Sequence, residues 1–126
     1  MTLDELARSR YLSLVTYRRS GAAVPTPVWV ASDGTRLYVW TKDGSGKTKR
    51  IRNNPRVTLA PCDARGRVPE GTPMTEGRAQ LLDRAGLDLV RRLMRAKYGW
   101  QFRLVEGGSA LLRLGRRPHV GIAVDL

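Results

Sequence analysis

Two residues, Asp33-Gly34, do most to restrict the folds open to this chain. They separate AVPTPVWVA (23–31) from RLYVWT (36–41), and an Asp-Gly pair tolerates the positive φ that a tight hairpin turn demands. The two runs are therefore expected to lie side by side and antiparallel. Ahead of them YLSLVTYRR (11–19) alternates, with Leu12, Leu14 and Thr16 on one face and Tyr11, Ser13, Val15 and Tyr17 on the other, and Ser20-Gly21 supplies the turn. Pro25 and Pro27 share a parity, so their missing N–H donors fall on one side of the second strand, which predicts a sheet edge there.

RVTLAPC (56–62) reads as a fourth strand with DARGR as its turn, and MTEGRAQLL (74–82) as a fifth, placing Thr75, Gly77, Ala79 and Leu81 on one face. SALLRLG (109–115) and HVGIAVDL (119–126) read as one or two closing strands around Pro118. Helices are few. Thr2-Leu3-Asp4-Glu5 has the form of a capping box that starts a short helix ending near Arg8. KTKRIRNN allows two turns before Asn54-Pro55, because proline drives the residue before it out of the helical region. From Leu87 to Lys97 the period changes: Leu87, Val90, Leu93 and Met94 recur at helical spacing, with Asp88, Arg91, Arg92 and Arg95 opposite, until Tyr98-Gly99. The expectation is a mainly β, single domain over residues 1–126, a six- or seven-stranded antiparallel sheet closed into a small β-barrel with one late amphipathic helix. A doubly wound parallel sheet would need a helix after nearly every strand.

Charge narrows the function. The chain of 126 residues carries 23 Lys and Arg against 11 Asp and Glu, a formal net charge of +12, which implies a polyanionic partner. Lys42, Lys47, Lys49, Arg50, Arg52, Arg56, Arg65 and Arg67 fall in one stretch whose acids are Asp43 and Asp63. A single cysteine, Cys62, and a single histidine, His119, exclude a disulfide framework and a Cys/His zinc site. Both read as structural residues. The N-terminus has no apolar run of signal-peptide length and no segment has the length of a membrane span, so a cytoplasmic protein is expected.

Within the basic stretch Gly46-Lys47-Thr48 has the form of the end of a nucleotide-binding P-loop. That motif needs a glycine where this chain has Thr41, and a long helix where Pro55 allows two turns. What remains is a different anion cradle: hydroxyls at Thr41 and Ser45, glycines at Gly44 and Gly46 that admit close approach to backbone amides, and cations at Lys47, Lys49 and Arg50. Charge-assisted bonds of this kind are worth roughly 1.5 to 3 kcal/mol each. A solvated basic loop is the alternative reading of the same residues.

LYVWTKDGSGKTKRIRNNPRVTL, from Leu37 onward, resembles the flavin-binding segment of the pyridoxamine 5'-phosphate oxidase-like split β-barrels: strand, Thr41, Ser45-x-Lys47, a short helix, Asn54-Pro55 and an apolar strand. TPVWVASDGTRLYVWT and RVTLAPCDARGR are similar to the branch of that family using the deazaflavin coenzyme F420. The resemblance spans about residues 9 to 82. It implies an oxidoreductase that transfers a hydride between F420, or alternatively FMN, and an unsaturated small-molecule substrate. It also implies that Thr41, Ser45, Gly46 and Lys47 bind the cofactor phosphate, with Lys49 and Arg50 meeting further negative charge, and that Thr26, Pro27, Val28, Trp29 and Trp40 flank the ring. A homodimer with the site at its interface is implied as well, with KYGWQFR (97–103) as the candidate cover over the ring; Trp100 could equally tuck into the core. No catalytic acid or base can be named, and the vitamin oxidase's C-terminal substrate-binding signature has no match. The rival from another class is a small basic nucleic-acid-binding barrel, for which only 8 aromatic residues (Trp 3, Tyr 4, Phe 1) would be available to stack bases.

Overall fold

The alternating runs form strands and pair as hairpins in the computed structural model, which describes residues 1–112 and 119–126. In chain order the elements are α1 (Leu3–Ala7), β1 (Tyr11–Tyr17), β2 (Ala23–Val28), β3 (Val30–Ser32), β4 (Leu37–Lys42), α2 (Gly46–Asn53), β5 (Arg56–Cys62), β6 (Thr75–Leu81), α3 (Arg84–Tyr98), α4 (Trp100–Leu112) and β7 (His119–Asp125). The strands make one antiparallel sheet in the order β2-β1-β5-β6-β7-β4-β3. β2 and β3 are separated only by Trp29 yet stand at opposite ends of that order, so the sheet must curl until its edges meet at this residue. The result is the expected split β-barrel.

The run 23–31, expected as one strand, is thus two: β2 pairs with β1 and β3 with β4. β2 is the edge that its prolines predict. Proline cannot donate, so Val24, Thr26 and Val28 carry the ladder bonds to β1, opposite Thr16, Leu14 and Leu12, and the carbonyls of Pro25 and Pro27 point away from it.

Two apolar clusters hold the fold. Leu12 and Leu14 of β1, Val28, Leu37, Val39, Val57, Leu59, Ile122 and Val124 fill the barrel, joined by Leu6 of α1 and Ile51 of α2. Tyr38 and Ala123 face the other side of the sheet, where Val90, Met94 and Tyr98 of α3 and Phe102 of α4 cover them. Full burial of a side chain of this size contributes about 1.5 to 3 kcal/mol. The capping box at Thr2 is formed by reciprocal bonds with Glu5, at 3.2 and 3.0 Å.

The C-terminal third departs from expectation. α3 ends at Gly99, φ 61°, but a second helix, α4, begins immediately and continues through Leu112, so Ser109 to Leu112 are helical rather than the start of a strand. Residues 113–115 of that expected strand, and Pro118, lie outside the described residues. Glu106 secures α4 to α3 through Arg91 at 3.0 Å and Arg95 at 2.8 Å. Trp100 is 69 % exposed and so is not tucked into the core; Phe102 is the aromatic that enters it.

Candidate anion site at the start of α2

β4 delivers Thr41, buried, on the barrel side of the sheet with Leu37 and Val39. The chain then turns through Gly44 at φ 76°, a conformation that side-chain-bearing residues rarely adopt, and enters α2 at Ser45. Ser45 occupies the N-cap position, where a serine hydroxyl ordinarily accepts a bond from the first helical turn. Here it makes no such bond: its Oγ is buried and unpartnered. The helix is instead fastened by Thr48, whose Oγ1 donates to the Ser45 carbonyl at 2.8 Å.

Two cations of the same helix are anchored to neighbouring strands. Lys47 Nζ donates to Thr41 Oγ1 at 2.9 Å, and Arg50 Nε donates to Thr16 Oγ1 of β1 at 2.7 Å. Burial pushes Lys47 below the usual lysine range and the Arg50 charge adds to this; burial likewise lowers Arg50, with Arg18 contributing. The two acids of the basic stretch are engaged elsewhere, Asp43 with Arg52 at 3.3 Å and Asp63 with Arg67 at 3.7 Å. Among the described residues no carboxylate forms an ion pair with Arg18, Lys47 or Arg50. Half-buried like charges, an unpartnered hydroxyl and a helix N-terminus form a set of donors, which fits a phosphate group. Its position inside a structured corner, rather than on a solvated loop, favours the cradle reading.

The expected residues do not all come together. Thr41, Ser45, Gly46, Lys47 and Arg50 share this corner, whereas Lys49 is exposed on the outer side of α2. Thr26 and Pro27 lie on β2, half-buried and exposed respectively, while Val28 is in the barrel core. The indoles of Trp29 and Trp40 belong to the outer cluster. Trp29 stacks on Tyr98 at 4.5 Å, and Trp40 stacks on His119 at 3.8 Å and meets Phe102 edge-on at 4.9 Å. Their role as core fits this packing, and any approach of a ring to β2 would be to its backbone and to Thr26. His119 is buried in that stack. Thr16 is the residue of this corner that sequence reasoning missed; a threonine continuing the Leu12, Leu14 face into the barrel was the available signal. Cys62 lies apart, in a pocket with Pro61, Asp63, Arg67, Val68 and Pro69, and burial raises its thiol, which disfavours the reactive thiolate.

A curled seven-stranded antiparallel sheet with a short helix closing a basic corner defines the class, a split β-barrel. The family model described as pyridoxamine 5'-phosphate oxidase matches residues 2–120, and the chain belongs to that family. The heme storage protein HutZ from Vibrio cholerae superposes with a TM-score of 0.70 at 14 % identity, covering 98 % of this chain and 86 % of its own. A FAD-binding protein from Mesorhizobium loti matches with a TM-score of 0.59 at 19 % identity, over 100 % and 88 %. An F420 reductase matches with a TM-score of 0.57 at 21 % identity, over 99 % and 93 %. These likenesses establish the fold. No curated protein sequence matches significantly. No described helix is long and apolar enough to cross a membrane.

Proposed function

We propose that this chain is an oxidoreductase that binds coenzyme F420, in preference to FMN, and transfers a hydride between it and an unsaturated small-molecule substrate. The observation that carries the reading is the buried, unpartnered Ser45 hydroxyl beside Lys47 and Arg50: a phosphate oxygen there would satisfy a lone donor and neutralise two cations at once. Lys49, exposed on the same helix, and the +12 charge of the chain favour the more anionic deazaflavin, with its phosphodiester and glutamate tail, over FMN.

Bound there, the deazaflavin supplies the hydride chemistry itself. The chain's part is to bind and orient. Thr41 holds Lys47 toward the anion, the amides at the start of α2 face it, and the β2 edge, with Thr26 and two outward carbonyls at Pro25 and Pro27, offers acceptors to a ring. We assign the proton to solvent. A second copy of the chain completes the site as a homodimer, and the apolar side chains that α4 leaves in solvent, Trp100 and Leu104 at 69 % and 65 % exposure, give that copy a surface to cover.

Parallel titrations of the purified protein with F420, FMN and a single-stranded oligonucleotide test the reading. Tightest binding of F420, little weakened between low and physiological salt, is expected. Tight oligonucleotide binding that collapses with salt, without response to either cofactor, would select the nucleic-acid barrel instead.

A further inference from the structure

Arg50 belongs to the anion corner only because of two residues that do not themselves carry charge. It stands one helical turn after Gly46, and its guanidinium folds back over the start of α2, so that a Cβ on Gly46 would lie 2.7 Å from Nη1. A side chain at position 46 would have to push the guanidinium away. From the other side Thr16, fully buried on β1, accepts the Nε–H at 2.7 Å and sits 3.5 Å from the Val24 carbonyl of β2, to which its hydroxyl donates. With Nε committed to Thr16, the Nη1 and Nη2 groups remain for a ligand at the helix start. Arg18 and Lys47 both repel Arg50 in this arrangement, and no described carboxylate pairs with any of the three, so an added anion would relieve that repulsion.

We infer that Thr16 and Gly46 are positioning residues that turn Arg50 into a second clamp beside Lys47 on one bound phosphate group. The inference rests on the cofactor-phosphate reading above. Its opposite is that Arg50 merely fastens α2 to β1.

The test is calorimetric titration of the full chain with inorganic pyrophosphate and with F420, using Gly46→Ala, Thr16→Val, Thr16→Ser and Lys47→Ala. Gly46 has negative φ, so alanine fits the helix backbone and its better helix propensity leaves the unfolding midpoint unchanged or raised. Binding of both ligands by Gly46→Ala and Thr16→Val should nevertheless weaken about ten-fold, with Thr16→Ser restoring it. A purely structural Arg50 predicts the reverse, affinity retained wherever the variant folds. Gly46→Ala also decides the matter should Thr16→Val fail to fold. Unchanged affinity in Gly46→Ala, together with loss in Lys47→Ala, overturns the positioning role and leaves the cofactor reading intact. Unchanged affinity in Lys47→Ala overturns both.

Discussion

Lys47 shows how one residue ties binding to stability. Burial and the Arg50 charge lower its folded pKa beneath the ordinary value, so the unfolded chain holds that proton more readily. Its ammonium therefore opposes folding at neutral pH, and stability rises as pH climbs through the folded pKa toward the unfolded one. Replacing it with an uncharged side chain of similar length, Lys47→Met, should leave the midpoint of the ligand-free protein equal or higher while removing phosphate binding; thermal scans with and without pyrophosphate check both. Asp33 has the opposite sign. Its carboxylate accepts from Thr35 Oγ1 at 2.7 Å, from two backbone amides and from the Tyr38 hydroxyl at 2.9 Å, and the Thr35 bond leads in holding its pKa far below the usual range. The stability it contributes is present above the unfolded pKa near 4 and is lost as pH falls below that. Denaturant unfolding of wild type and Asp33→Asn should differ at pH 7, and the gap should narrow steadily as pH falls below about 4. Thr41, Ser45 and Lys47 were legible because seven consecutive positions hold them together in one loop. Thr16 was not, since it meets Arg50 across 34 residues of sequence and only the barrel's curl unites them.

At the level of elements, the region around Tyr98 fixes where the outer helices sit. Its hydroxyl accepts from the Val30 amide at 3.0 Å and donates to the Arg10 carbonyl at 2.8 Å, while Lys97 Nζ reaches the carbonyls of Ala7, Ser9 and Val30 at 2.7, 2.6 and 2.6 Å. Tyr98→Phe strands a buried amide, and a loss of about 1 to 3 kcal/mol is expected from denaturant unfolding. The helix α3 was readable from its period, and β1, β4 and β5 from their alternation, because each has one pattern facing one core. α4 was not. Gly107-Gly108 lowers its local propensity, and what secures it is tertiary: Phe102 in the outer cluster and Glu106 between Arg91 and Arg95. The split of 23–31 was hidden for a related reason, since both halves alternate in phase and only the barrel's closure assigns them to different neighbours.

For the whole molecule, the strand order shows why Lys47 and Arg50 are gathered at this corner. Closure of the sheet brings β1, β4 and the start of α2 together at one end of the barrel, where Ile51 plugs the core and the polar turn above it is left half-buried. The sequence pattern disclosed the antiparallel barrel but not which ends of which strands meet. The proposed homodimer predicts a dimer boundary in sedimentation velocity that is lost on Trp100→Glu with Leu104→Lys, since both would place charge on the exposed face of α4. The central claim concerns the phosphate corner. It is tested most directly by the affinity of Lys47→Ala for coenzyme F420, followed by fluorescence at fixed ionic strength. Charge-assisted bonding of about 1.5 to 3 kcal/mol predicts a ten-fold to hundred-fold rise in Kd with the fold intact. A Kd equal to that of the unaltered protein would contradict it.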